Sequence, residues 1–406
     1  MTAPPTPWLT IVGIGEDGLD GLGTAAKRCI EEAALVFGGT RHLALAAELV
    51  RGQARAWPSP FESGIREVLG SRGQKVCVLA SGDPFCHGVG TTLARHVPTA
   101  EMRTIPAPSA FSLAASRLGW ALPEIEIVSL HGKPIDLIRP LLHPGSRILA
   151  LTSDGDGPSA VARLLTELGF GASKLTVLEA LGGPNERIRS SAADGFELAE
   201  INPLNVLAVE VDSDSEPRVL PLTSGMADDL FEHDGQITKR EIRAVTLSSL
   251  APQRGELLWD IGAGSGSIAI EWMLRHPSMR AVAVEASAER AERIARNAAG
   301  LGVPGLQVVS GSAPNALAGL PTPDAVFVGG GGSHPGVMDA AIEALKSGGR
   351  LVANAVTLEM EAVLLARHSR LGGELLRLAV SRAAPVGGMQ GWRSAMPVTQ
   401  WLWRKP

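Results

Sequence analysis

Two α/β units in succession, the second built around a doubly wound sheet, are what this sequence predicts, and three observations predict them. Short apolar segments of strand length alternate with amphipathic segments of helical period in both halves, the pattern of layered α/β architecture. The stretch LLWDIGAGSGSIAIEW, Leu257–Trp272, reads as strand, glycine turn and helix start, the opening unit of a nucleotide-binding sheet. The chain has 406 residues, whereas single cores stop growing at about 250–300.

The predicted strands of the first half are Trp8–Gly15, Lys75–Pro84, Ile125–Gly132, Arg147–Gly155, Lys174–Leu181 and Leu204–Val211. Gly23–Val36 and Pro158–Phe170 carry helical periodicity between them, so largely parallel sheets are expected. The pattern dissolves over Asp212–Gln236, an acidic stretch interrupted by Pro and Gly that reads as a connecting arm. The expected division is residues 1–212, an arm at 213–235, and residues 236–406. A helix over Thr238–Ala251 reopens the chain, and strands follow from Leu257, Arg280–Ser287, Leu306–Pro314, Asp324–Gly332 and Gly349–Thr357, with a helix at Ser287–Gly302. Glu374–Ala383 and Pro397–Pro406 have no helix between them and suit an antiparallel pair at the edge of an otherwise parallel sheet.

Composition excludes several classes of function. Hydrophobic residues make up 45% and charged residues 19%, unlike a disordered chain. No apolar run approaches the roughly 20 residues that cross a bilayer, and the start MTAPPTPWLT is unlike a secretory leader, so the expected location is cytoplasmic, with no membrane partner. Cys29, Cys77 and Cys86 lack both CxxC spacing and disulfide density, and no HxH or HExxH occurs, so no metal is expected. Cys86 beside His87 is read as incidental rather than as a nucleophile. Residues 1–215 hold 18 Lys+Arg against 24 Asp+Glu, and the remainder 19 against 18; neither half has the basic footprint of a nucleic-acid binder.

Gly262, Gly264 and Gly266 let the backbone turn sharply and approach a ligand, and the following helix start favours partial negative charge. Glu285 ends the next strand, where a carboxylate can accept from a ribose diol. The dinucleotide fingerprint needs GxGxxG, but here the third glycine comes early, and Asp260 before the turn suits a cationic ligand better than a pyrophosphate. With VEAS, GSAP and PDAVFVGG downstream, the unit resembles the class I S-adenosylmethionine-dependent methyltransferases. GQITKREIR (Gly235–Arg243), VGGGG and GGRLVANAVTLE (Gly348–Glu359) further resemble the precorrin C15-methyltransferase and decarboxylase domain of the cobalamin pathway. That resemblance implies cofactor contacts from Thr238, Gly262, Ala263, Gly264, Ser265, Gly266, Glu285 and Ala313, with Ser312 standing where the family has an acid.

In the first half, LTIVGIGEDG, LASGDPFCHGVG (Leu79–Gly90) and IPAPSAFSLAASRLGW (Ile105–Trp120) resemble the tetrapyrrole methylase family. The resemblance implies a fold of two α/β subdomains with S-adenosylmethionine in the cleft between them, without the glycine turn of class I enzymes. Gly82, Asp83, Ser109, Ala110 and Thr152 are the implied cofactor contacts, Gly13 and Gly15 are expected to shape the substrate trough, and Glu16 replaces a frequent proline. Arg103 and Lys133 are candidates for substrate carboxylates.

The two types in this order resemble the bifunctional C5,15-methyltransferases (decarboxylating) of aerobic cobalamin synthesis. The resemblance implies two S-adenosylmethionine sites, a small-molecule tetrapyrrole substrate, and precorrin-8X as product, made from precorrin-6B by methylation at C5 and C15 and loss of the C12 acetate carboxylate. It also implies a homo-oligomer. A methyl sulfonium is already electrophilic and the macrocycle supplies an electron sink, so positioning is the expected contribution of the protein. His334, Asn354 and Thr357, at the C-terminal ends of predicted strands, are the candidate catalytic residues. Two other readings remain: a different modified tetrapyrrole as acceptor, or one half acting as a cofactor-binding scaffold, to which Glu16 and Ser312 point.

Overall fold

The computed structural model describes residues 7–213 and 217–406. Residues 1–6, on which part of the leader argument rests, and positions 214–216 of the expected arm lie outside the described residues. Two compact units result: one runs to Ile135 and resumes over His143–Arg218, and the other combines Asp136–Leu142 with Val219–Pro406.

The first unit opens with β1 (Leu9–Ile14), α1 (Thr24–Glu31), β2 (Leu35–Gly38), α2 (Thr40–Leu45), β3 (Gln53–Ala56), α3 (Phe61–Gly70), β4 (Val76–Ser81), α4 (Val89–Leu93) and β5 (Met102–Ile105). These strands form one sheet in the order β3-β2-β4-β1-β5, parallel throughout. Alternation decides which face each side chain enters: Leu9, Ile11, Val76 and Val78 belong to one core cluster, and Val12, Ile14, Cys77 and Leu79 to another. Both faces are therefore dry, which is why β1 and β4 read as continuous apolar runs.

After α5 (Ala110–Leu118) come β6 (Glu126–Ser129), β7 (Arg147–Leu151), α6 (Gly157–Glu167), β8 (Lys174–Glu179), β9 (Arg187–Ala192) and β10 (Asn205–Glu210). They form a second sheet, β6-β7-β10-β8-β9. Here the expectation of parallel pairing fails: only β6–β7 is parallel, and β10 runs antiparallel to both β7 and β8, as β8 does to β9. No helix separates β8 from β9 or β9 from β10, so the chain has no crossover with which to return in the same direction.

The second unit contains α7 (Arg240–Leu250), β11 (Leu257–Ile261), α8 (Ser267–Met273), β12 (Arg280–Glu285), α9 (Ala288–Gly300), β13 (Gln307–Ser310), β14 (Ala325–Val328), α10 (Val337–Ala344), β15 (Arg350–Ala355) and α11 (Leu358–Leu371). It closes with β16 (Glu374–Leu378), the hairpin β17 (Ser381–Val386) and β18 (Met389–Ser394), and β19 (Val398–Arg404). The sheet order is β13-β12-β11-β14-β15-β19-β16, parallel from β13 to β15 and antiparallel at β19. The two closing segments pair antiparallel, but β19 lies inside and β16 takes the edge. The reason is apolar content: Trp401 and Trp403 are buried, whereas β16 is mostly half-buried or exposed. From Val219 the expected arm belongs to the second unit, where Leu220, Met226 and Phe231 enter the core beside Trp272.

Candidate active sites

In the second unit the turn between β11 and α8 places Gly262, Gly264 and Gly266 at φ of 69°, 60° and 76°, a region that favours glycine. A methyl group on Gly262 would lie 2.5 Å from the Gly330 carbonyl oxygen. The glycine run after β14 is thus the second wall of the turn, and the two backbones touch because neither carries a side chain. Glu285, at the end of β12, accepts from the Gly264 N–H at 2.8 Å and the Ser287 N–H at 3.0 Å. It fixes the floor of a cavity of about 830 Å³.

Thr238, Gly262, Ala263, Gly264, Glu285, Ala313, His334, Asn354 and Thr357 all line that cavity. Two expected contacts are corrected: Ser265 and Gly266 lie off its wall, because the turn has already rolled into α8. Ser265 is buried and its carbonyl accepts from Asn297 at 2.9 Å, while Gly266 caps the helix against Ile294. Asp260 also stands behind the wall rather than facing a ligand. Its Oδ2 accepts from the Ala269 N–H at 3.0 Å and its Oδ1 has no partner among the described residues. Burial first, with Glu285 adding repulsion, pushes this carboxyl up to about 7.

The three candidate catalytic residues differ in freedom. Asn354 donates to Thr246 at 3.0 Å and accepts from Gln400 at 2.9 Å. Thr357 caps α11, accepting from the Met360 N–H at 3.3 Å. The His334 imidazole is exposed on the wall and has no hydrogen-bond partner among the described residues. The wall adds three cations, Lys239 of the GQITKREIR segment and Arg290 and Arg382, which no motif announced, each beside an acid, Asp228, Asp234 and Glu241 respectively. The segment carrying Thr238 is anchored from below by Arg243, which is fully buried and donates to Glu271 at 2.6 Å, to Asp228 and to the Met226 carbonyl.

In the first unit the three motifs meet through backbone. A methyl group on Gly13 would collide with the Gly82 carbonyl oxygen at 1.9 Å and with the Ala107 nitrogen at 2.6 Å; one on Gly82, at φ 52°, would lie 2.7 Å from the Pro108 carbonyl oxygen. Gly13 therefore packs motif against motif and does not line the trough expected of it, whereas Gly15 does. Gly82, Asp83, Ser109, Ala110, Thr152 and Lys133 line a cavity of about 840 Å³. Asp83 accepts from the Phe85 N–H at 2.8 Å, Ser109 caps α5, and buried Thr152 donates to Asn205 at 2.7 Å. Arg103 is not on this wall; its guanidinium lies 3.8 Å from the Cys29 sulfur. Burial raises the Cys86 thiol, which disfavours a thiolate nucleophile. Among the described residues no three His, Cys, Asp or Glu side chains are grouped to hold a metal ion, and no helix is long and apolar enough to cross a membrane.

A family model described as tetrapyrrole (corrin/porphyrin) methylases matches residues 8–194, and one described as a precorrin methyltransferase domain matches residues 229–405. A Sinorhizobium protein named precorrin-6Y C(5,15)-methyltransferase (decarboxylating) is 64% identical over 400 residues, covering 98% of this chain and 97% of its own. A protein of the same name from Mycobacterium tuberculosis is 42% identical over 397 residues, 97% of this chain and 98% of its own. The crystal structure of the C-terminal domain of precorrin-6Y C5,15-methyltransferase from Rhodobacter capsulatus is 48% identical, covers 46% of this chain and 100% of that one, and superposes with a TM-score of 0.44.

Proposed function

The chain belongs to the precorrin-6Y C(5,15)-methyltransferase (decarboxylating) family, and from that membership we propose that its two units are separate S-adenosylmethionine sites serving one tetrapyrrole. The first methylates C5, and the second methylates C15 and releases the C12 acetate carboxylate as carbon dioxide, giving precorrin-8X from precorrin-6B. The observation that carries this reading is that the motifs of each half close on a cavity of their own, about 840 Å³ in the first and 830 Å³ in the second, each of a size suited to small-molecule ligands.

When bound, S-adenosylmethionine supplies a methyl group on a positively charged sulfur. The chain's residues fit it in the second unit: the glycine turn leaves room for an adenosine, and Glu285 presents acceptor lone pairs beyond its two backbone donors. In the first unit, Gly82 and Pro108 bring bare backbone to the cavity wall. His334 is the side chain free to meet the macrocycle or its acetate, while Asn354 and Thr357 hold the wall in shape through Gln400, Thr246 and Met360. Decarboxylation leaves an electron pair that the conjugated macrocycle accepts and the methylene carbon then takes a proton from solvent to become a methyl group, so His334 need only orient the acetate. We further read the protein as a cytoplasmic homo-oligomer that binds neither nucleic acid nor membrane.

Mass spectrometry of precorrin-6B incubated with the full chain and S-adenosylmethionine tests the assignment. Two added methyl groups and one lost carbon dioxide are expected; an unchanged mass removes it. A His334→Ala protein that still decarboxylates at the full rate removes His334 from the reaction.

A further inference from the structure

We propose that Ser81 and His42 form a proton-accepting pair in the cavity of the first unit, taking the hydrogen that the meso carbon loses once it is methylated. This rests on reading that unit as a methyltransferase for a meso carbon. The pair is made by strand order. β2 and β4 lie side by side, so Ser81, the last residue of β4, and His42, in the helix that follows β2, emerge at the same end of the sheet.

The hydrogen bonds define which atom carries which proton. The His42 Nε2 lies 2.8 Å from the Ser81 Oγ, and one nitrogen of Arg41 lies 3.0 Å from each of these atoms. A guanidinium only donates. Nε2 is therefore an acceptor, the ring proton sits on Nδ1, and the Ser81 hydroxyl accepts from Arg41 while directing its own hydrogen at Nε2. Arg41 is in turn paired with Glu16, so the cluster holds its fixed charges in balance. All four side chains line the cavity, next to Gly82 and Asp83. The His42 Nδ1 is buried without a partner among the described residues, leaving the Ser81 side as the one through which protons can be exchanged.

This geometry matches a need of the reaction. As the meso carbon gains its methyl group, the sulfur leaves as a neutral thioether and the macrocycle takes up the positive charge. The carbon then carries both hydrogen and methyl. When Ser81 accepts that hydrogen as a proton and passes its own to Nε2, which gives up its bond from Arg41 while Arg41 keeps its bond to Ser81, the C–H electron pair returns to the macrocycle and restores both conjugation and neutrality. Burial, with Arg41 adding repulsion, lowers His42 to about 4, so the imidazole is neutral and able to accept at physiological pH. A base this weak suffices because the carbon acid is cationic, and it hands the proton on to solvent readily.

The test uses full-length His42→Gln and Ser81→Ala proteins and substrate deuterated at the reacting meso carbon. Loss of the deuteron from the methylated carbon, followed by mass as formation of the neutral methylated product, is expected to slow by about 100-fold or more. Affinity for S-adenosylmethionine and turnover in the second unit should be unchanged, and a primary deuterium isotope effect larger than that of the parent protein should appear. Nitrogen NMR of the histidine-labelled parent chain should show His42 protonated at Nδ1. A Ser81→Ala protein as fast as the parent overturns the pair, as does a slow variant with no increased isotope effect or a ring protonated at Nε2. A parent protein that adds no methyl at this carbon overturns the reading of the unit and the pair with it.

Discussion

Asp260 shows how a residue can be noticed correctly and understood only from its surroundings. Its place before the glycine turn was plain in the sequence, but sequence distance does not reveal whether a carboxylate faces the ligand or the next helix. It faces Ala269 of α8, with one oxygen left unpartnered among the described residues, and its folded value of about 7 stands above the ordinary 3.8. Between these values the folded chain binds more protons than the unfolded one, so Asp260 makes stability fall as pH rises from about 4 to 7, with no further loss above. An Asp260→Asn protein should therefore show a flatter pH dependence of denaturant midpoint across that window; an unchanged slope would mean another group sets it. Glu285 is the opposite case, legible in position and in direction. Replacing it with Gln leaves one of the Gly264 and Ser287 donors facing an NH2 group and the other with only a neutral acceptor, and calorimetry should find S-adenosylmethionine bound roughly 10- to 100-fold more weakly in the second unit. Ser81 stood inside the LASGDP motif, but its pairing with His42 was not legible. They are separated by 39 positions and meet through β2, a strand of four residues, too short to register as a periodic segment.

At the scale of elements, long dry strands and strongly amphipathic helices were readable because their period is imposed by burial on both faces or on one. β11, β12 and α9 are of this kind. What escaped was set by partners distant in sequence. β9 is half-buried or exposed along its whole length, Ile188 included, and depends on β8 for its edge position. The segment 219–235 looked like an arm because its composition is polar, yet it is tied down by charge: the Glu271 carboxylate accepts from the Gly225 and Met226 N–H groups and from Arg243. Arg243 and Glu271 are both fully buried, so removing one leaves the other uncompensated. Arg243→Leu should cost about 3–5 kcal/mol and lower the melting temperature by roughly 10 °C. An Arg243→Leu/Glu271→Met double variant should recover part of the loss, and if it melts lower than the single variant the pair is not the anchor.

For the whole molecule, the cavity described in each unit predicts a stoichiometry. Titration of the full chain should saturate at two S-adenosylmethionine molecules. Gly82→Ala sets a methyl group 2.7 Å from the Pro108 carbonyl oxygen, and Gly262→Ala sets one 2.5 Å from that of Gly330. Each variant should keep one of the two sites, and each product should carry one methyl group fewer than the parent's. A variant that loses both sites would show the units to be coupled. The two-unit plan was readable from chain length and from motifs that each imply a different fold. The antiparallel half of the first unit was not, since nothing in one strand names its neighbour. The same holds for β19, and its placement orders the motions of the second unit. Among the described residues β16 pairs only with β19, whereas β19 also pairs with β15. Any fluctuation that frees β19 must release β16, but β16 can fray alone. In hydrogen exchange, then, the amide protons that bond β16 to β19 should never outlast those that bond β19 to β15, and protection should climb inward from the rim of the sheet.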